Sequence, residues 1–414
     1  MIALSQFELV AILVLLTAMF SWVNIRLALL PHTIGLVVMG LGASLVIIGA
    51  EAAVPSLVNY ENLAGLVGQF DFQGTVLEGM LAFLLFAGAL HVDVLGLRSR
   101  AVTIGTMATL GVVVSTAIIG GGVWVAADLL GVPISLPWAL VFGALISPTD
   151  PVAVLATLKQ VKVGDDLQTV MTGETLFNDG VGVVLFAVLV EAAIGGSLDA
   201  VQVGEMFLVE ALGGAVLGAV TGYVAYRAMR AIDDYVIEVM ISLALVMGTY
   251  AIASRLGVSG PLAVVIAGLL VGSSGPRDAL SDQTQRYLFG FWTLIDEMLN
   301  SVLFLLIGLE VLVLRFEPAF GWLMALAVPL VLIARLAAVS GPVLLLGLFR
   351  KFARGTIPVM IWGGLRGGIS VALALSLPEV AEKSALLAAT YAVVLFTLIV
   401  QGMSLRAVIK RVVR

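Results

Sequence analysis

The stretch Ser147-Pro148-Thr149-Asp150-Pro151-Val152-Ala153-Val154 sets a hydroxyl and a carboxylate between two prolines. Gly173-Glu174-Thr175-Leu176-Phe177-Asn178-Asp179-Gly180 follows it in the next apolar segment. At bilayer depth a charged side chain costs at least about 2.5 to 3.5 kcal/mol on insertion scales, so these carboxylates mark a route or site for a charged solute. Proline removes a backbone donor and interrupts a helix, so the first stretch also predicts a broken crossing segment. Backbone freed in this way is tolerated in a membrane only where protein or water satisfies it.

The composition around these motifs specifies the solvent. Of 414 residues, 61% are hydrophobic and 12% charged, against about 25% charged in ordinary soluble domains, and the mean hydropathy is +1.15. The fold class is therefore an all-α polytopic membrane protein. A crossing helix needs roughly 20 residues, which predicts about thirteen segments near 7–30, 32–50, 75–95, 101–127, 136–159, 165–193, 202–230, 235–256, 259–274, 285–314, 318–348, 357–378 and 384–409. The run from Phe7 to Leu30 has no basic start and reads as a retained span. Residues 57–70 suit a helix lying on the surface.

Lys and Arg collect in short cytoplasmic loops. With the amino end outside and the carboxyl end cytoplasmic, the loop bases all fall inside except Arg255, Arg315 and Lys383, while Arg335 and Arg366 lie within spans. The second interruption is the glycine cluster Gly363, Gly364, Gly367 and Gly368 around Arg366 in the twelfth segment. Discontinuous helices in segments 5 and 12, of opposite direction, point to a transporter of two inverted-topology repeats with its site between them. The repeats are expected as segments two to seven and eight to thirteen.

Thr175, Asn178 and Asp179 share one face of the sixth segment, with Glu174 at its margin. Asp150 and the freed carbonyl of Thr149 can approach from the fifth. These hydroxyl, carbonyl and carboxylate oxygens suit a hard cation, and a single mobile carboxylate suits a weakly held monovalent one. If Asp179 holds either a cation or a proton but never both, one site gives obligatory exchange. Arg335 and Arg366 each need a partner, because a buried unpaired charge is costly. Glu174 is expected to pair with Arg335, leaving Arg366 to order the unwound twelfth segment and Asp150 to hold Asn178 or the broken helix end; the reverse assignment of the two arginines stays open.

With no cysteine, disulfides and thiolate chemistry are excluded. The only histidines, His32 and His91, have no second metal ligand beside them in sequence, so no transition-metal site is expected. No nucleophile and base pair appears, which argues against an enzyme. His91 and Asp93 are expected at a membrane interface, and Asp296 and Glu297 near a cytoplasmic helix start. Gly213, Gly214 and Gly218 read as small residues for close helix packing.

The two opening motifs closely resemble those of the monovalent cation:proton antiporters of the NhaP and sodium/hydrogen exchanger type. Asn300-Ser301-Val302-Leu303-Phe304-Leu305-Leu306-Ile307-Gly308-Leu309-Glu310 and Trp362-Gly363-Gly364-Leu365-Arg366-Gly367-Gly368 are similar to later blocks of that family. The resemblance spans nearly the whole chain. It implies a homodimer in the cell membrane, with dimer-interface helices at about 7–95 and 235–314, a mobile core at about 101–193 and 318–409, and a linker helix at 202–230. It implies that Asp179 binds the transported ion with help from Thr149, Asp150 and Thr175, sodium contacting Asp179, Thr149 and Thr175. Family members often carry serine where Thr175 stands. The Asn178-Asp179 pair, in place of two aspartates, suggests electroneutral one-for-one exchange. The large regulatory tail of animal exchangers is not expected here.

The expected function is secondary antiport of Na+, or of Li+ or K+, against H+, with lipid as the surroundings, no nucleic-acid partner and no cofactor beyond the transported ions. A K+/H+ antiporter of the same fold is the near alternative. A cation channel is the alternative of another class, disfavoured by the paired breaks and the lack of a filter motif.

Overall fold

The computed structural model describes residues 5–27, 30–53, 65, 74–150, 154, 164–195, 200–275, 279–312, 318–348, 352–353 and 355–412. Lys159, Lys162, Arg277, Arg315, Arg350, Lys351, Arg354 and Arg414 lie outside the described residues, as do Pro151, Val152 and Ala153 and all of 57–70 except residue 65.

Every regular element described is helical. The order is α1 (Gln6–Leu27), α2 (His32–Ala53), a π-helical turn (Gly74–Met80) leading into α3 (Leu81–Leu90), α4 (Val94–Leu130), α5 (Leu136–Ile146), α6 (Asp165–Ile194), α7 (Ala200–Met229), α8 (Tyr235–Leu256), α9 (Gly260–Ser274), α10 (Asp282–Glu310), α11 (Gly321–Gly347), α12 (Thr356–Trp362), α13 (Gly368–Leu375) and α14 (Lys383–Val412). Among the described residues nine helices are long and apolar enough to cross a membrane, and α3, α5 and α9 are shorter apolar helices. The chain is a multi-pass membrane protein.

Local chemistry sets the helix ends. Asp93 accepts from the backbone N–H groups of Leu95 and Gly96 at 3.0 and 3.1 Å, satisfying donors that a helix start leaves open. The fourth helix therefore begins at Val94, seven residues before the expected boundary, and carries Arg98 and Arg100 in its first turns. His91 follows the end of α3 and bonds Ala87 O and Thr293 Oγ1. Asp234 caps α8 in the same way as Asp93 caps α4. Gly131 and Gly257 close α4 and α8 in the left-handed conformation, with φ of 69° and 66°, which costs glycine no Cβ clash. Asp296 and Glu297 sit mid-way along α10, whose start is capped by Ser281, and not near a helix start as expected. Charges on the polar side of a long amphipathic helix look, in sequence, like a helix entry.

A long helix, a broken one and a second long helix occur twice in that order, as α4, α5, α6 and as α11, α12 with α13, α14. Helix α4 also packs along α11. This order pairs segments four to six with eleven to thirteen, with α7 to α10 between them in the chain. The expected division at segments two to seven and eight to thirteen is corrected accordingly, since it would match the broken fifth segment with the unbroken eleventh.

Packing forms two groups. Helices α4, α5, α6, α11, α13 and α14 pack on one another, while α2 packs on α10 and α3, α7 and α8 pack on α9. Small residues set the closest approaches: a Cβ on Gly218 would run into the backbone of Ala263, and one on Gly214 into Ser259. The expected glycine stripe of α7 thus lies against α9. The largest apolar cluster runs through the first group and into Leu303 to Leu309 of α10.

Candidate functional site

The two broken segments meet backbone to backbone. Helix α5 ends at Ile146 and α12 at Trp362, and the N–H of Asp150 donates to the carbonyl of Leu365 at 2.8 Å. Arg366 Nη1 donates to the carbonyl oxygens of Ser147 and Pro148, the latter at 2.8 Å. A guanidinium thus satisfies acceptors that the end of α5 leaves open. Gly367 makes the crossing possible, because a Cβ there would lie 2.8 Å from both Cβ and Cγ of Asp150.

Arg366 was expected to order its own segment, yet its side chain orders the end of the fifth. Its own backbone N–H is held instead by Thr397 Oγ1 at 3.1 Å, from a π-helical turn of α14. Nothing in sequence announces either contact, since one partner is a backbone carbonyl and the other a lone hydroxyl in an apolar run.

On α6 the expected face is present and buried. Asn178 Nδ2 donates to Thr149 Oγ1 at 2.9 Å, and Asn178 Oδ1 accepts from the Thr149 N–H at 3.5 Å. The hydroxyls of Thr149 and Thr175 lie 3.3 Å apart. Asn178 is therefore clasped by Thr149 on both sides, and the loop after α5 is tied to α6. Asp179 is 6% exposed and follows Asn178 on α6, one turn beyond Thr175, and the charges of Asp150 and Arg366 act on it. Asp150 itself is half-buried.

Glu174 faces away from that chain toward α11. Arg335 binds it with both terminal nitrogens, Nη1 to Oε1 and Nη2 to Oε2, the second at 3.0 Å. Arg335 Nε and Nη2 also reach the carbonyl of Met360 at 3.2 and 3.1 Å, so the ion pair bridges α6, α11 and α12. The guanidinium passes over Gly364, where a Cβ would lie 2.6 Å from Nε. Ser147, absent from the expected set, is also engaged: its hydroxyl bonds Gly143 O at 2.6 Å and lies 3.3 Å from Thr116 Oγ1.

The structure thus brings Thr149, Asp150, Thr175, Asn178 and Asp179 together around the crossing of two broken helices, with Glu174 and Arg335 behind them and Arg366 as the brace. The arrangement offers one nearly buried carboxylate with neutral oxygens at hand and a second, half-buried carboxylate nearby. Such a donor set can hold a proton or a partly dehydrated monovalent cation. It contains no imidazole or thiolate for a transition metal.

Comparisons with known proteins identify the family of the chain. The family model described as sodium/hydrogen exchanger, transmembrane, matches residues 10–411. The chain is 44% identical over 422 residues to the Na(+)/H(+) antiporter NhaP of Pseudomonas aeruginosa, covering 98% of this chain and 96% of the other. It is 35% identical over 377 residues to the Na(+)/H(+) antiporter NhaH of Halobacillus aidingensis, covering 89% and 91%. In fold it is similar to the sodium proton antiporter MjNhaP1 from Methanocaldococcus jannaschii solved at pH 8, with a TM-score of 0.74, 18% identity and 97% of each chain covered. The chain therefore belongs to the transmembrane sodium/hydrogen exchanger family.

Proposed function

We propose that this protein is a secondary antiporter that exchanges Na+ for H+ across the cell membrane, with both ions competing for Asp179. One observation carries the site assignment: Asp179 is a nearly buried carboxylate beside the place where two broken helices cross, next to hydroxyls tied to one another through Thr149, Thr175 and Asn178. The names of the antiporters with which it shares up to 44% identity support sodium and protons as the two substrates.

In this mechanism Thr149 and Thr175 supply neutral oxygens to the sodium ion and Asn178 fixes the loop that carries Thr149. Asp150 adds negative potential from the broken end of α5, and Arg366 keeps that end in place. Protonated Asp179 has little affinity for sodium, and sodium-bound Asp179 has no free charge for a proton, so each ion displaces the other. With one charge exchanged for one, the cycle is electroneutral. Alternating exposure comes from movement of the group containing α4 to α6 and α11 to α14 against α1 to α3 and α8 to α10. The second group forms the interface of a homodimer and α7 links the two.

The test is cation-driven proton movement in proteoliposomes. An imposed gradient of sodium should drive proton flux in the opposite direction, with lithium and potassium run in parallel to rank selectivity. Asp179→Asn, purified and reconstituted to the same density, should carry none. Full coupled flux in that variant would overturn the assignment.

A further inference from the structure

A small internal cavity lies behind the ion pair, with Met107, Ser115, Glu174, Asn178, Arg335 and Arg366 in its wall. Three polar atoms belonging to two of these residues are buried without a hydrogen-bond partner among the described residues: Arg366 Nε, Arg366 Nη2 and Ser115 Oγ. Arg366 is wholly buried and Ser115 is 3% exposed. Buried donors of a guanidinium are rarely left unsatisfied in native proteins, because the desolvation cost is not recovered. The remaining terminal nitrogen of Arg366 is already used on the carbonyls of Ser147 and Pro148.

The charge balance of the wall indicates the occupant. Glu174 disfavours an anion there, and Arg335 with Arg366 disfavours a cation. A neutral molecule that both accepts and donates satisfies all three atoms, and the polar space has room for roughly one water.

We propose that this cavity is a hydration site in which one ordered water accepts from Arg366 and bonds Ser115, making Ser115 a positioning residue for transport. Ser115 stands on α4, so the water ties that helix to the arginine that braces the end of α5. Fixing the other donors of Arg366 holds its guanidinium on the carbonyls beside Thr149 and Asp150. The role in transport rests on the reading of Asp179 and Thr149 as the ion site; the hydration site itself does not.

The isosteric pair Ser115→Thr and Ser115→Val isolates the hydroxyl. Hydroxyl radicals generated by X-ray pulses from bound water should oxidise Met107, which is 1% exposed and in the cavity wall. They should spare Met360, which is equally buried but outside that wall. Labelling of Met107 should persist in Ser115→Thr and fall to the Met360 level in Ser115→Val. In proteoliposomes Ser115→Val should raise the sodium concentration for half-maximal flux roughly tenfold, with Ser115→Thr close to the parent, as outer-shell partners of bound ions do elsewhere.

Absence of Met107 labelling in the parent protein would overturn the hydration site. Unchanged sodium half-saturation in Ser115→Val would overturn the positioning role. If Ser115→Val does not fold, parent labelling and retention of label in Ser115→Thr decide the matter. Failure of the parent to couple sodium to protons would sink the antiport reading while leaving the labelling result intact.

Discussion

Arg335 grips Glu174 with both terminal nitrogens and at the same time donates to the carbonyl of Met360 at 3.2 and 3.1 Å. The two side chains are 7% and 3% exposed, so the pair is screened very little by solvent. Removing one member leaves the other as an uncompensated buried charge, and such losses cost roughly 3 to 5 kcal/mol. Arg335→Ala and Glu174→Ala should therefore each lower the thermal unfolding midpoint of the purified protein strongly. The double variant Glu174→Leu with Arg335→Met should recover much of that loss, since it leaves no stranded charge. Single variants as stable as the parent would show that the pair contributes nothing.

Thr149 is the hinge of the neutral part of the site. Its hydroxyl accepts from Asn178 at 2.9 Å and meets Thr175 at 3.3 Å. Thr149→Val keeps the shape and strands the buried Asn178 amide, at a cost of about 1 to 3 kcal/mol. Sodium half-saturation should rise by roughly tenfold, the change that 1.4 kcal/mol produces. Thr149→Ser, which keeps the hydroxyl, should stay near the parent. Cation titrations of both variants in the flux assay make the comparison.

Which parts of this site were legible in the sequence follows from how rare each signal is. Deep in the apolar segments of the sequence the only bases are Arg335 and Arg366, so a partner for the buried Glu174 could be narrowed to two residues, and the structure pairs it with Arg335. The broken segments were visible as proline and glycine clusters. Lengths of apolar runs placed most helices within a few residues, and Tyr235–Leu256 at its very ends. The start of α4 was missed because Arg98 and Arg100 looked like loop, whereas the Asp93 cap carries the helix through them. The role of Arg366 was missed because its acceptors are the carbonyls of Ser147 and Pro148, a group that every residue has. Thr397 and Ser115 were invisible for a related reason: a single hydroxyl in an apolar helix is ordinary until the fold brings it to an unpaired donor.

Gly367 should tolerate no side chain. A Cβ at that position would lie within 2.8 Å of Asp150 Cβ and Cγ, forcing the two broken segments apart. Gly121 has open space around the same hypothetical atom and serves as the control. Gly367→Ala should lose most transport and roughly 1 to 3 kcal/mol of stability by overpacking, while Gly121→Ala should be neutral. Equal activity of the two would remove the close crossing from the account.

Asn178→Asp tests the basis of electroneutrality. The variant adds a second carboxylate next to Asp179 and deletes the amide donor that Thr149 accepts. If it folds and transports, more than one proton per cation becomes possible, and flux should then respond to an imposed potassium-valinomycin potential. The parent should be indifferent to the same potential. A parent whose flux follows the potential would end the one-for-one scheme.

Competition at Asp179 makes a prediction about pH whose sign is set by mass action alone. Protons and sodium displace each other, so lowering the pH should raise the sodium concentration needed for half-maximal flux. Conversely, each tenfold increase in sodium should move the acid limb of the pH profile downward by roughly one unit, the limit for one proton exchanged at one site. Two independent sites would leave the acid limb where it stands as sodium rises. The discriminating measurement is a matrix of sodium titrations at several pH values in proteoliposomes. A shift that approaches one unit favours a shared carboxylate, and a stationary limb requires that the proton be carried by a group other than Asp179. Asp150 would then be the residue to replace next, because it is the other carboxylate whose charge acts on Asp179.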